Sequence, residues 1–233
     1  DWREQQQLVK AEFHFDVMTR TAACEIPYGV MERPTHKNTS WERAQFEMCA
    51  HRFVDLSEPG FGVALLNDGR YGHSIEDGFV GLTLLTSGIF PFPDADKGVH
   101  ELIYALMPHM GDWREANVVH EAGMLNEKPI LSLNKPVLLT EEKSSARYTM
   151  CEVSSPNVIV TLVKRAEDES GLIVRMYESN GIRTNVEWNV EGLCPKSIYE
   201  CDMMEQKERS IIFDGHRAKF EIRPFEIKTF LLV

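Results

Sequence analysis

The 233-residue sequence lacks the features that define several large classes of protein. No run of 18 apolar residues occurs, so the sequence contains no candidate transmembrane helix. It also has no glycine-rich phosphate loop, no dinucleotide fingerprint and no Gly-x-Ser-x-Gly nucleophile elbow. These absences argue against a nucleotide-dependent enzyme and against a serine hydrolase of that type.

Cysteine is sparse and poorly spaced for a structural role. The five cysteines are an odd number and form no Cys-x-x-Cys pair. The spacing therefore predicts neither a disulfide framework nor a structural zinc site. Reduced thiols are typical of the cytoplasm, and we expect a cytoplasmic protein.

The first residues carry no targeting signal. Residues 1–7 contain neither the basic segment nor the apolar core of a signal peptide. The first residue is Asp1 and not Met. We expect the chain to begin inside a longer polypeptide.

Positive charge is also in short supply. The sequence has 25 Lys and Arg against 36 Asp and Glu, which gives a formal net charge of −11. A chain this acidic repels phosphate backbones, and no basic stretch with interspersed aromatic residues offsets the repulsion. We therefore expect no nucleic acid as a partner, and the lack of a long apolar run predicts that the chain does not span a membrane.

Strand-like alternation is the main pattern that is present. Val9, Ala11, Phe13, Phe15 and Val17 alternate with polar residues, which in a strand places all five on one face. The same alternation predicts further strands at Ala44-Phe46-Met48-Ala50, at Thr184-Val186-Trp188 and at 227–233. Helical spacing is clear only at Trp113, Ala116 and Val119, with Asp112 as N-cap. Many short strands predict an all-β protein built from antiparallel β-sandwiches.

One strand is predicted to be buried on both faces. Gly62-Val63-Ala64-Leu65-Leu66 is an uninterrupted apolar run. Asn67-Asp68-Gly69 follows it, and Asp-Gly is a favoured pair in two-residue hairpin turns. We therefore expect a β-hairpin at this point.

A polar segment divides the sequence into two predicted domains. Between about Asn134 and Ala146 the chain is rich in Glu, Lys, Ser and Thr. We predict a large β-sandwich over residues 1–140 and a small one over residues 146–233. The predicted strands of the second domain are 158–164, 172–177, 184–188, 219–222 and 227–233.

Two pairs of polar residues are candidates for chemistry. His51 and Asp55 suggest a metal pair, but four residues of strand separate them by roughly 13 Å, too far to share one ion. Asp94 and Asp96 lie in a loop in which their carboxyl groups come within roughly 5–7 Å, near the spacing of a retaining glycosidase. Asp between Pro and Gly is more often a turn former, and we favour that interpretation. Neither pair predicts a complete active site.

A longer set of motifs resembles a known family. The motifs share their order and spacing with the C-terminal region of glycoside hydrolase family 38 α-mannosidases, particularly the bacterial and cytosolic branch. They are Glu25-Ile26-Pro27-Tyr28-Gly29, Arg33-Pro34-Thr35-His36, Asn38-Thr39-Ser40-Trp41, residues 50–57, residues 60–68, Tyr71-Gly72, Pro93-Asp94, Asp96, Gly98, His100-Glu101 and residues 104–109. The resemblance runs from about Asp1 to Leu133, and the remainder fits the family's small terminal sandwich by position and strand pattern.

The resemblance implies a non-catalytic fragment of a larger enzyme. Members of the family are retaining exo-α-mannosidases whose catalytic Asp residues and divalent metal, zinc or a similar ion, belong to an N-terminal α/β domain. The resemblance places this chain after that domain, in a supersandwich-like β-region. It therefore implies no catalytic residue, no metal ligand and no cofactor within these residues. The implied partners are the missing catalytic domain and an α-mannoside substrate.

The resemblance also gives candidates for contact with the substrate. Residues 80–87 match a family strand that usually ends in Leu-Leu-Arg-Ser, but Thr86 stands in place of the Arg. In related enzymes that Arg reaches toward the substrate pocket, and Thr lacks its fork of donors. Thr86, Asp94, Asp96, His100 and Tyr71 are therefore the candidate substrate-cleft residues.

Two other functions stay open at this stage. One is an independent carbohydrate-binding β-module, and the other is an assembly module for a homo-oligomer. An aromatic platform in a groove would favour the first. A broad apolar surface would favour either the second or docking on the catalytic domain.

Overall fold

The structure is a computed structural model, and it describes residues 1–130 and 149–233. It divides into two compact units, Asp1–Pro129 and Ile130–Val233. The predicted boundary segment between Asn134 and Ala146 lies outside the described residues. Both units are built from antiparallel strands, which confirms the all-β prediction. Among the described residues, no helix is long and apolar enough to cross a membrane.

The first unit contains nine strands and two helices. The strands are β1 (Leu8–His14), β2 (Thr21–Ile26), β3 (Gly29–Pro34), β4 (Met48–Cys49), β5 (Phe53–Glu58), β6 (Phe61–Asn67), β7 (Gly72–Glu76), β8 (Phe79–Thr86) and β9 (Tyr104–Met110). The helices are α1 (Ser40–Ala44) and α2 (Val118–Asn126).

Two sheets of this unit pack face to face. One has the order β1-β8-β7-β4 and the other the order β3-β2-β5-β6-β9. The core between them contains Leu56, Val63 and Leu65 from the five-stranded sheet and Val80 and Leu82 from the four-stranded one. On its other face the five-stranded sheet is covered by α2, and the Phe53 and Trp113 rings lie 6.3 Å apart there. This arrangement is the predicted sandwich.

Three predictions in this unit need correction. The strand expected at 44–50 is wrong, because α1 ends at Ala44 and only Met48–Cys49 is extended. The hairpin expected at 67–69 is also wrong, since β6 and β7 belong to different sheets. The helix expected around 113–119 begins later, at Val118, and Asp112 instead caps the turn that precedes it.

The cause of the first error lies just upstream of the predicted strand. The Thr39 hydroxyl accepts a hydrogen bond from Glu42 N, and the Glu42 carboxylate accepts one from Thr39 N. This capping box fixes a helical turn that ends at Ala44, the first residue of the predicted strand.

Within residues 149–233, the second unit contains the five strands predicted from sequence and three more. The predicted ones are β11 (Val158–Arg165), β12 (Leu172–Glu178), β13 (Thr184–Asn189), β16 (Arg217–Ile222) and β17 (Ile227–Leu232). The additional ones are β10 (Glu152–Val153), β14 (Ile198–Cys201) and β15 (Lys207–Ile211). A short 3-10 helix spans Glu191–Leu193.

These strands form a second sandwich with its own core. The three-stranded sheet has the order β10-β13-β16 and the five-stranded sheet β11-β12-β17-β14-β15. Trp188 from the smaller sheet is fully buried against Phe230 from the larger one, with ring centroids 5.2 Å apart. Phe220 completes the aromatic cluster, 4.8 Å from Phe230.

Candidate functional site

The connection between β8 and β9 holds most of the residues predicted to contact a substrate. Thr86 is the last residue of β8 and is exposed. Its backbone N–H donates to Asp96 Oδ2 at 2.8 Å. The Asp96 carbonyl in turn accepts a hydrogen bond from His100 Nε2, also at 2.8 Å. The fold therefore brings Thr86, Asp96 and His100 together at one end of the sandwich.

The two carboxylates of this connection have separate partners. Asp94 Oδ1 forms an ion pair with Lys97 Nζ at 2.8 Å, and the Asp94 carbonyl accepts from Lys97 N. Asp96 has a positive φ of 58° and directs its carboxylate to Thr86. Each side chain therefore braces the loop. The two carboxylates therefore do not form an acid–nucleophile pair directed at one position.

The N-terminal segment anchors the same connection. Trp2 and Gly98 exchange two backbone hydrogen bonds of 2.7 and 2.9 Å. Trp2 Nε1 donates to Ser87 Oγ, and Gln5 Nε2 donates to the Pro93 carbonyl. The loop therefore has a fixed path, and its outward groups can be presented to a neighbouring domain.

Tyr71, the remaining candidate, contacts a different residue. Its ring is half exposed and lies 5.0 Å from the His51 ring, at an interplanar angle of 35°. The Tyr71 carbonyl accepts from Ala50 N. The residue thus belongs to the connection between β6 and β7, and it takes no part in the hydrogen bonds around Thr86.

A buried polar row crosses the five-stranded sheet. Ser57 on β5, Gly62 on β6 and His109 on β9 lie side by side in register. His109 Nε2 reaches across β6 to within 2.7 Å of Asp55 Oδ2, and the Ser57 hydroxyl donates to the other carboxylate oxygen. Burial raises the pKa of the Asp55 carboxyl, and the bonds from Ser57 and His109 oppose that effect only in part.

This row gives Asp55 a partner that sequence reasoning missed. Its partner is His109 and not His51, which lies before β5 and contacts Tyr71. No sequence spacing connects residues 55 and 109, because the contact depends on the order of three strands. The arrangement ties β5 to β9, and Asp55 itself is almost completely buried.

The second unit also buries a charged group at one end of its sandwich. Glu200 accepts two hydrogen bonds from Arg209 on one oxygen, at 2.6 and 2.9 Å, and one from Lys228 on the other, at 2.6 Å. Burial alone would raise the pKa of the Glu200 carboxyl, but the two cations outweigh it and hold the pKa below its usual range. A cleft of about 480 Å³ opens beside these side chains and is bounded further by Phe220 and Arg223.

Within residues 1–130 and 149–233, no group of three or more His, Cys, Asp or Glu side chains is placed to hold a metal ion. The described residues therefore do not fit the divalent metal that the family resemblance implies for the whole enzyme.

Two family models match the chain and cover most of it between them. The glycosyl hydrolases family 38 C-terminal domain matches residues 1–94, and the family 38 C-terminal β-sandwich domain matches residues 157–230. The two matched ranges fall in the first and second units, respectively. The chain belongs to the C-terminal region of glycosyl hydrolase family 38.

The similar curated proteins are α-mannosidases. α-Mannosidase 2C1 of Mus musculus is 38% identical over 237 residues, which cover 100% of this chain and 22% of that protein. α-Mannosidase G of Dictyostelium discoideum is 37% identical over 236 residues, which cover 100% of this chain and 21% of that protein. The chain thus spans about a fifth of the length of the curated relatives it matches.

A solved structure shows the same fold. The crystal structure of an α-mannosidase from Enterococcus faecalis V583 aligns with a TM-score of 0.74 at 20% identity. The alignment covers 97% of this chain and 26% of that one.

Proposed function

We propose that the chain is the non-catalytic C-terminal region of a retaining exo-α-mannosidase and packs against the catalytic domain of that enzyme. The proposal is supported by a match that covers the whole of this chain but only about a fifth of each α-mannosidase. The catalytic carboxylates and a divalent metal such as zinc would then belong to the catalytic domain. Cytoplasmic localisation and assembly into a homo-oligomer are parts of the same proposal.

The connection between β8 and β9 is the part that we assign to the substrate cleft. Thr86, Asp96 and His100 are tied into one hydrogen-bonded loop on a rigid scaffold. Hydroxyl, imidazole and carboxylate groups are suited to bonding sugar hydroxyls, whereas Asp94 and Asp96 have separate structural partners. One observation carries the proposal: the loop holds polar groups in fixed positions, while its two carboxylates already bind partners within the protein, Asp96 to Thr86 N and Asp94 to Lys97.

The decisive experiment is an activity assay on the 233-residue chain. The purified chain should fold and release no aryl alcohol from an aryl α-mannoside, even with added zinc or cobalt, because residues 1–130 and 149–233 bring no acid and nucleophile together. The polypeptide that carries this chain together with the catalytic domain should hydrolyse the same substrate. Metal-dependent turnover by the 233-residue chain would contradict the proposal.

The same sample tests the two other functions. Binding of mannose or a mannoside by the chain alone would favour a carbohydrate-binding module. A stable oligomer of the inactive chain would favour an assembly module.

A further inference from the structure

The core of the first unit is left open along one side. Val63 and Leu65 on β6 face the opposite sheet and are 6% and 1% exposed. Their neighbours in register on β9, Pro108 and Leu106, point to the same side, yet Leu106 is 42% exposed. The opposite sheet therefore covers β6 and stops short of β9.

The remaining residues of β9 on this side follow the same pattern. Tyr104 is 41% exposed and Met110 is 77% exposed, although both face the interior side of their sheet. Four successive inward positions of one strand are thus uncovered. A sandwich normally buries such positions between its sheets, and an uncovered apolar strip of this kind marks an interaction surface.

The sheet that stops short ends at β1. Among the described residues β1 pairs only with β8, so its other edge has free backbone donors and acceptors. β1 lies against the uncovered strip, because the Phe13 ring is 6.0 Å from the Tyr104 ring. Ala11 and Phe13, which pair with the core residues Leu82 and Val80, are themselves only partly buried. We call this combined surface, made of Ala11, Phe13, Tyr104, Leu106 and Met110, the open edge.

We propose that the open edge is filled by a β-strand from the rest of the α-mannosidase polypeptide, which pairs with β1 and covers β9. Neighbouring strands lie about 4.8 Å apart, so one strand beside β1 would cover the strip that the four-stranded sheet leaves exposed. The occupant should alternate apolar and polar residues, with its apolar side facing Leu106 and Met110. The identity of its source rests on the proposed function.

Two observations favour this occupant and this edge. The relatives have nearly four-fifths of their length outside the matched region, so the same polypeptide supplies candidate strands at high effective concentration. Pro108 deprives β9 of one backbone donor, as is typical of an edge strand that is not extended further. β1 has no proline and keeps all its donors. We therefore expect the added strand to form its backbone hydrogen bonds with β1 and to pack its apolar side chains against those of β9.

Methionine oxidation by hydrogen peroxide and backbone hydrogen exchange test the inference. Met110, at the open edge, and Met204, in the second unit, are matched probes with exposures of 77% and 78%. In the 233-residue chain both should oxidise at similar rates, and part of β1 should exchange rapidly. In the polypeptide that includes the catalytic domain, Met110 should oxidise at least about tenfold more slowly than Met204, since oxidation requires an accessible sulfur. The amides of residues 8–14 should become protected there.

Three outcomes would overturn the inference. An active polypeptide in which Met110 and the β1 amides stay reactive would leave the proposed function standing and the strand addition wrong. Protection already present in the monomeric chain would show that the edge is not open. Met110 and the β1 amides could instead become protected in the 233-residue chain only at concentrations at which it dimerises, with no additional protection in the longer polypeptide. That result would assign the edge to a second copy of the chain. Failure of the proposed function has a different sign, which is that the longer polypeptide does not hydrolyse α-mannosides.

Discussion

Gly62 shows how a single residue without a side chain determines a buried contact. It lies between Ser57 and His109 in the row that crosses β5, β6 and β9. A β-carbon at this position would collide with the His109 ring and the Ser57 hydroxyl. The His109 side chain can therefore cross β6 and reach Asp55 only because position 62 is glycine.

Replacing Gly62 by alanine should displace His109 and destabilise the first unit. We expect Gly62→Ala to lower the free energy of unfolding by about 1–3 kcal/mol, the usual cost of overpacking a core. Urea denaturation of the 233-residue chain measures it. In a His109→Ala background the same change should cost less, because the clash with the His109 ring is gone and the clash with the Ser57 hydroxyl remains. Equal costs in both backgrounds would show that the His109 contact is not the reason for the glycine.

Glu200 should make the stability of the second unit depend on pH. The pKa of the Glu200 carboxyl is lower in the folded state than in the unfolded chain. The ionised carboxylate therefore stabilises the folded state above the unfolded-state pKa, and this stabilisation is lost as the pH falls through the folded-state pKa. Glu200→Gln should cost about 2 kcal/mol at neutral pH, because Lys228 loses its main buried partner and Arg209, which is largely exposed, loses less. The difference from the natural chain should shrink below about pH 5.

Denaturation curves at several pH values check this expectation. Glu208→Gln, at an exposed position of β15, is the matched control and should change neither the stability nor its pH dependence. A Glu200→Gln chain with the natural pH dependence would mean that another carboxylate is responsible.

At the scale of secondary-structure elements, the connection between β8 and β9 is where the proposed function can be tested by substitution. In the enzyme with its catalytic domain, Thr86→Arg should change activity toward at least one mannoside linkage, by roughly 1.5–3 kcal/mol if a charge-assisted hydrogen bond forms. Asp94→Asn is the matched control, since Asp94 is paired with Lys97 in the loop. It should leave kcat almost unchanged.

Steady-state kinetics on several linkages distinguish the outcomes. Collapse of turnover in folded Asp94→Asn would mean that this carboxylate takes part in the chemistry. Identical kinetics for Thr86→Arg on every linkage would mean that the end of β8 does not face the substrate.

Sequence patterns predicted the strands well where burial of apolar side chains alone determines the local structure. The apolar run at 62–66 has no polar face, and β6 is buried on both sides. The alternation at 184–188 likewise produced β13. The pattern failed at 44–50, where α1 and its upstream capping box take the first residue, Ala44, into a helix. It also failed at β15, whose residues Lys207–Arg209 are charged because the strand lies at a sheet edge.

The candidate site was less accessible to sequence reasoning than the fold. The family motifs pointed to the loop that follows Thr86, and hydrogen bonds join Thr86, Asp96 and His100 there. Their contact with a substrate stays a prediction. The Asp55–His109 contact could not be predicted, because it depends on which strands are neighbours and in what register. Neighbour order in a sheet is set by long-range packing, and local periodicity carries no information about it.

At the scale of the whole molecule, the second unit should fold without the first. Its aromatic cluster of Trp188, Phe220 and Phe230 lies between its own two sheets. We expect residues 149–233 to unfold in one cooperative transition that burial-sensitive Trp188 fluorescence follows. Fluorescence and circular dichroism should give coincident curves. A fragment with an exposed Trp188 and no transition would show that the second unit depends on other parts of the chain.

The pairing of β1 with β8 has a consequence for synthesis of the protein on the ribosome. The neighbours β2–β3, β5–β6 and β7–β8 are close in sequence and can pair soon after they emerge. β1 emerges before the other strands of this unit, but its partner residues, from Phe79 to Thr86, emerge much later. We therefore expect the nascent chain to carry the half-apolar β1 without its β8 partner until β8 has left the exit tunnel, and to need a chaperone most during that interval.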